Sequence, residues 1–449
     1  MILEKLLYKK ISLWILFLVI ILSIISMILF GSLVLRSTTA KNIAKIPETL
    51  KKIFIKSEND FILSNINIEQ KKRFLAYSNN HEDLKGYLLL ARYDVNKKRS
   101  VTEIINIKDG KVLHTWEPDI EKINTYSKLP KKIYLKRDNN IKRYLMYHPL
   151  LLSNGDLIMH SNDTPLIKLS ICSKMIWHVD KPFHHSTELD HEQNIWSPSI
   201  IFPAKTDSFE IDHNRSDGGF FREDSIDKIS QDGKILFSKS LIEIFIDNNL
   251  ERYIFPTGNE YGNNLDPFHL NDIQPAVTDS KYWKKGDLFL SLKHLSMILL
   301  YRPSTNKIIW FKQGPWVFQH DVDIINNKQI AVFDNNRDDL IKFKVNESNE
   351  TLIYDFEKDI IISPYKKGYI KNQIKTPSQG LSQILENGDI FVEDTDHGRI
   401  LRMDKMGNIK WQYVNREPNG YVYRISWSRF LSEKFYSSTI EKIINTACK

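Results

Sequence analysis

Apolar and polar positions along this chain fall into distinct regimes. Residues 11–35, ISLWILFLVIILSIISMILFGSLVL, carry no charged side chain. A run of that length suits a helix crossing a bilayer, and it is longer than the roughly 7–15 apolar residues of a cleaved signal peptide. The pattern predicts an uncleaved signal anchor over 11–35. Residues 1–10 are then cytoplasmic, because Lys5, Lys9 and Lys10 precede the run. Residues 36–80 are polar and basic with some helical spacing, and read as a stalk and lead-in helix. From 81 to 432 the chain changes to short apolar runs broken by pairs such as Asn154-Gly155, Asp232-Gly233 and Asn387-Gly388. Gly and Asn accept positive φ, so these pairs mark tight turns between antiparallel strands. Residues 433–449 read as a C-terminal tail.

The short strands repeat as a unit. One unit runs from His148-Pro149-Leu150-Leu151 through Asn154-Gly155 to Met175-Ile176-Trp177, and another from Leu381-Ser382-Gln383-Ile384 through Asn387-Gly388 to Lys410-Trp411. Four strands recurring at about 40–60 residues describe the blade of a propeller. Six units can be traced. Trp116, Trp177, Trp310 and Trp411 fall near unit ends and are expected to pack between blades, where a large aromatic buries much apolar surface. The expected fold is all-β: a six-bladed β-propeller over 81–432, preceded by an N-terminal transmembrane helix.

Composition removes several function classes. The net charge is +8, but the 63 basic and 55 acidic residues are interspersed, with no dense Lys/Arg block for nucleic acid. Cys172 and Cys448 make neither a disulfide framework nor a zinc pattern, and a bridge between them is not the expectation. Phosphate-cradling Gly-rich loops and His-Glu-x-x-His are missing too, so no cofactor and no metal is implied.

What remains is a set of histidines at the starts of similar strands: His184 and His185 in Phe183-His184-His185-Ser186, His269 in Asp266-Pro267-Phe268-His269, and His320 in Phe318-Gln319-His320-Asp321. The innermost strand of each blade faces the central channel. Residues at its start line one mouth, so His185, His269 and His320 are expected to converge. Lys293 and His294 are expected to alternate on one strand, one toward the channel and one away. His148 and His178 look structural, and His397 reads as exposed in a turn.

These motifs, with Asn271-Asp272 after His269, the stretch Leu288 to Ile298 around Lys293, and Phe333-Asp334-Asn335 after His320, resemble the bacterial arylsulfate sulfotransferases over about residues 80–430. The resemblance implies a six-bladed propeller. It also implies transfer of a sulfuryl group from an aryl sulfate ester to a phenolic acceptor through a sulfohistidine, with no nucleotide donor. His320 is then the nucleophile, its tautomer fixed by Asp321 or a backbone carbonyl. His185 and His269 donate to sulfuryl oxygens or protonate the leaving phenoxide. Asn271, Lys293 and His184 bind substrate, with Lys293 standing where members of the family carry arginine. The implied location is the inner membrane, single-pass, with the propeller in the periplasm. A non-catalytic propeller that binds a ligand or protein partner is the alternative, with the insertion from about 202 to 232 as its binding loop or as a lid. A quinone- or metal-dependent oxidoreductase is less well supported, because acidic calcium ligands cannot be placed.

Overall fold

The computed structural model of the chain describes residues 13–36, 68–129, 140–204, 221–254, 266–337 and 344–448. The chain divides into two compact units, Met1–Phe61 and Ile62–Lys449. In the first, a helix runs over Leu13–Arg36. Its described side chains lie within 14–27 and are exposed. Among the described residues no helix is long and apolar enough to cross a membrane, so the anchor expected over 11–35 is not found. Residues 1–10 and most of the stalk at 36–80 lie outside the described residues, as does 205–220 of the insertion.

The second unit is a β-propeller whose blades are antiparallel sheets. Four blades are separate sheets, three of four strands and one of five. In one of them Leu270–Pro275, Leu288–Leu292, Met297–Arg302 and Lys307–Gln313 pair each with the next. A fifth sheet has eight strands. It is joined across its middle by the single partner pair Ser199 and Phe183, with Glu188–Leu189 pairing onto Ile195–Ile201. The predicted turns are present: Gly155, Gly233 and Gly388 sit at φ +89°, +83° and +82°. A Cβ at Gly233 would meet the Trp177 ring at 2.9 Å, so the turn also needs glycine for space.

The core lies between neighbouring blades, and the repeated tryptophans hold it there. Trp116 is fully buried, and its Nε1 donates to the Ser170 carbonyl at 3.2 Å. Trp177 donates to the Gln231 carbonyl at 3.0 Å, on the next turn along the chain. Trp310 stacks on Tyr354 of the next blade at 5.1 Å, and Trp411 shares a buried cluster with Leu88, Leu90 and Ile105 of the neighbouring sheet. Truncating one buried aromatic of this kind costs about 3–5 kcal/mol.

Both ends of the unit are tied in. Arg429–Leu431 pairs with Tyr87–Asp94, so the last strand completes the first sheet. Phe74–Ala76 adds to the outer strand Ile409–Val414. Past the last strand, a helix over Glu433–Asn445 buries Ile440 and Ile443. Three residues beyond it, Cys448 is bonded to Cys172. This bridge corrects the sequence expectation. The two cysteines are 276 residues apart, and only the return of the C-terminal helix to the Ser170–Lys174 turn brings them together.

Candidate active site

Six residues at or just before the inner strands adopt left-handed backbone: His148, His185, His269, Phe318, Gln379 and Trp427, with φ between +39° and +60°. Each costs about 1–2 kcal/mol for a side-chain-bearing residue, and strain of this kind gathers at functional sites. Here it turns side chains inward. The His185 ring lies 5.2 Å from His269, 6.3 Å from His320 and 6.1 Å from Trp427, centroid to centroid. Trp427 also packs against His320 at 6.4 Å and His148 at 5.1 Å. The three histidines expected at one mouth do meet there.

His320 is fully buried and its tautomer is set from both sides. Its Nδ1 lies 2.6 Å from Asn335 Oδ1. The Asn335 amide cannot be reversed, because Nδ2 donates to the carbonyls of Thr376 at 3.1 Å and Gln379 at 2.8 Å. Oδ1 therefore faces the imidazole, and Nδ1 carries the proton. The lone pair sits on Nε2, where the Gln379 N–H donates to it at 3.0 Å. Asn335, not Asp321, sets the tautomer. Asp321 instead accepts from the Ser382 N–H at 3.1 Å.

His269 is oriented in the same sense. Its Nδ1 donates to the Asp266 carboxylate, which leaves a lone pair on Nε2. His294 Nδ1 bonds the Asp266 carbonyl at 2.6 Å, and its ring lies 4.6 Å from His269. Lys293 and His294 follow the strand Leu288–Leu292 in a turn, so both reach the site and the expected alternation does not apply. His184 and His185 share one proton between their Nδ1 atoms at 2.8 Å. His184 is fully buried behind His185, with Nε2 at 3.4 Å from Asp224. Among the described residues, Nε2 of His185 and Nε2 of His269 hold no hydrogen bond.

Burial decides protonation. Loss of water holds His185, His269 and His320 well below the usual histidine range. For His269 and His320 the next largest cause is the charge of Lys293. His184 is pushed down to about 3 by burial and then by Arg222. Lys293 is only 9% exposed, and its pKa is lowered to about 8, first by burial and then by Arg337. Among the described residues its ammonium has neither hydrogen bond nor ion pair. Arg222 is engaged by Asp224 at 3.0 Å and Asp163 at 3.1 Å, and Arg337 lies over the Phe318 ring at 4.4 Å. Among the described residues the site is therefore neutral imidazoles beside the unpaired Lys293 ammonium, an arrangement that can hold an anion against a nitrogen nucleophile.

Asp266, His269 and His294 have ligand atoms close enough together to share an ion. Both Nδ1 atoms are already committed to Asp266, and the Lys293 charge acts on His269, so we assign the group to orienting the imidazole.

Asn271 is fully buried, and its Nδ2 braces the Gln319 carbonyl at 3.0 Å, immediately before His320. His397 is half-buried, with Nδ1 bonded to Asp394 at 3.0 Å, because the 3-10 turn Thr395–His397 folds it back. Sequence reasoning missed Asn335 as a partner of His320, along with Asp266, Gln379, Trp427 and Arg222. Asn335 had a readable signal, an amide closing the strand that pairs with the His320 strand.

The fold and site together define a β-propeller with a histidine-lined mouth. The sequence model of the arylsulfotransferase (ASST) family matches residues 148–416, more than half of the chain, and the chain belongs to that family. No curated protein matches it. Among solved structures, a protein of unknown function from Bacteroides caccae is 11% identical with a TM-score of 0.46, covering 76% of this chain and 98% of that one. Virginiamycin B lyase from Staphylococcus aureus is 11% identical with a TM-score of 0.34, covering 61% and 71%. The Cps50 (Swd1) β-propeller domain of Myceliophteria thermophila is 8% identical with a TM-score of 0.38, covering 76% and 86%. Likeness at this level carries no statement about activity.

Proposed function

We propose that the chain transfers a sulfuryl group from an aryl sulfate ester to a phenolic acceptor by way of a sulfated His320. The observation that carries this reading is the fixed tautomer of His320. Asn335 holds the proton on Nδ1 and leaves a lone pair on Nε2, beside two more imidazoles and the unpaired Lys293 ammonium. In the first half-reaction Nε2 attacks sulfur and the phenoxide departs. In the second, the acceptor oxygen attacks the same sulfur and frees His320. The Gln379 N–H occupies Nε2 at rest and must release it for attack. Lys293 holds the sulfuryl oxygens as a point charge without the bidentate fork of an arginine. Trp427 Nε1, buried without an acceptor among the described residues, is a further donor at the mouth.

The same reading takes the eight-stranded sheet as two blades joined at Ser199 and Phe183, which brings the propeller to six. It places the propeller in an extracytoplasmic compartment. Support comes from the Cys172–Cys448 bond, since disulfides persist in oxidising compartments.

Incubating the full chain with 4-nitrophenyl sulfate and phenol tests the reading. Phenol-dependent release of nitrophenol, with a sulfuryl adduct trapped on His320 when phenol is withheld, is the expected result. Release that ignores phenol means hydrolysis, and no release at all favours a non-catalytic binding propeller.

A further inference from the structure

The reaction moves a proton as well as a sulfuryl group. A phenoxide leaves and must be protonated, and a phenol enters and must lose its proton. His269 cannot supply that proton in its resting state: its single N–H is spent on Asp266, and its free nitrogen bears a lone pair. The N–H of His320 is spent on Asn335. His184 and His185 hold a proton between their Nδ1 atoms, facing each other. Burial keeps His185, His269 and His320 neutral, so no imidazolium stands ready.

Among the described residues, one titratable group at the mouth has protons to give and no partner. Lys293 follows the strand Leu288–Leu292, and its N–H is tied to the His269 carbonyl at 3.2 Å, so its backbone is fixed beside that histidine. Its side chain is 9% exposed. Among the described residues its ammonium makes no hydrogen bond and no ion pair, unlike Arg222 and Arg429, which are held by carboxylates. It is also the charge that acts most strongly on both His269 and His320. It stands beside His269, whose ring belongs to the same cluster as His185 and His320, with hydrogens free to meet an oxygen bound there.

We propose that Lys293 is the proton shuttle of the transfer, giving a proton to the departing phenoxide and taking one back from the incoming phenol. The inference rests on the sulfuryl-transfer reading above. In the first half-reaction the N–S bond forms at His320 Nε2 and the aryl O–S bond breaks. A proton passes from Lys293 Nζ to the phenoxide oxygen and leaves a neutral amine. In the second, the acceptor O–H gives its proton to that amine while the new O–S bond forms and the N–S bond breaks. The ammonium is restored and no outside acid is consumed. The pKa lowered to about 8 suits both directions better than an ordinary lysine would.

The test compares two donors in the wild type and in K293R. An arginine keeps the charge that holds the sulfuryl oxygens but cannot surrender a proton. Phenol is a poor leaving group with a pKa of about 10, whereas 4-nitrophenol is far more acidic and needs no help. Values of kcat/KM for phenyl sulfate and 4-nitrophenyl sulfate, with 1-naphthol as acceptor, report the first half-reaction. K293R is expected to lose on the order of 10²-fold or more with phenyl sulfate and under about 10-fold with 4-nitrophenyl sulfate. In the unaltered chain, kcat/KM for phenyl sulfate should fall steeply as pH rises through about 8, where the ammonium is lost, while the nitrophenyl donor, which loses only the binding charge, falls less. Equal losses with both donors in K293R, together with identical wild-type pH profiles, overturn the shuttle and leave Lys293 a binding charge. A wild type with no phenol-dependent transfer at all ends the sulfuryl-transfer reading, and the shuttle with it.

Discussion

Two layers of the same channel can be set side by side. Three chain segments each carry a histidine at the mouth and a carboxyl three residues on: His185 and Glu188, His269 and Asp272, His320 and Asp323. The carboxyls influence one another as the histidines do, and Glu188 is held by Arg429 at 3.0 Å. Glu188 and Asp323 border a cavity of about 860 Å³, reaching the hairpin at Asn387 and the C-terminal helix at Tyr436. Burial acts on both layers and shifts them in opposite directions. It drives the imidazoles well below their ordinary pKa, and raises Asp272 to about 7 and Asp323 to about 8. The three imidazoles are neutral near neutrality, and Asp272 and Asp323 are shifted toward the neutral acid, while Glu188 is ion-paired with Arg429. A neutral imidazole offers a lone pair to an electrophile, while a neutral carboxyl offers a hydrogen-bond donor and little nucleophilicity. The same loss of water therefore makes one layer reactive and the other inert, and residue type decides which.

The largest expected effect separates the layers by activity. His320→Ala should lower phenol-dependent transfer by on the order of 10³-fold or more, because the covalent route is gone. Asp323→Asn should stay within a few-fold of wild type in the same assay. An Asp323→Asn loss as deep as that of His320→Ala would show that the carboxyl layer takes part in the chemistry, and the division would fail.

A smaller effect tests how the reactive layer is held. Asn335→Ala removes the acceptor at His320 Nδ1 and frees the imidazole to take either tautomer. The expected loss is on the order of 10²-fold in kcat, with KM for the donor little changed, since Asn335 does not face the sulfuryl group. A rise in KM at constant kcat would instead make Asn335 a substrate ligand.

How much of this was legible in the sequence follows from where the partners lie. Histidines at strand starts could be read, because a repeat puts equivalent residues at equivalent places. Gly155 and Gly233 could be read too, since their turns need positive φ whatever surrounds them. Asn335 is on a neighbouring strand, Gln379 in a later blade, and Trp427 beside the closing strand Arg429–Leu431. Asn335 is close enough in the same sheet to be read locally, but the meeting of Gln379 and Trp427 with His320 depends on how the blades are arranged, which no local pattern encodes. The Cys172–Cys448 bond was missed for the same reason. The Lys293 and His294 reading failed on a detail of two residues. The strand ends at Leu292, and alternation stops where pleating stops. Of the propeller, the turns, the recurrent tryptophans and the antiparallel order were readable. The joining of two units through Ser199 and Phe183 was not, because it rests on one pairing.

The smallest expected effect concerns stability and sharpens the contrast by its sign. Histidines with depressed folded pKa values, such as His160 at about 4 and His184 at about 3, favour the fold above the unfolded value of about 6.5, and that contribution is lost as pH falls below it. Carboxyls with raised values do the reverse. Asp272 and Asp323 favour the fold below the unfolded value of about 3.9, and that contribution drains away as pH rises through 7 and 8. Between about pH 4 and 6.5 the two layers oppose each other. From 6.5 to 8 the histidines are neutral in both states, and the carboxyls outweigh Lys293, whose proton loss near pH 8 acts in the opposite sense, so stability should fall with pH in that window. Asp323→Asn cannot ionise, and should flatten that fall by at most one proton, about 1.4 kcal/mol per pH unit. Urea midpoints at pH 6.5, 7.25 and 8 would read the slope in the full chain. A variant slope equal to that of the wild type would mean that Asp323 is already ionised in the folded channel. The lower layer would then be charged, and its likeness to the histidine mouth would end with its sequence register.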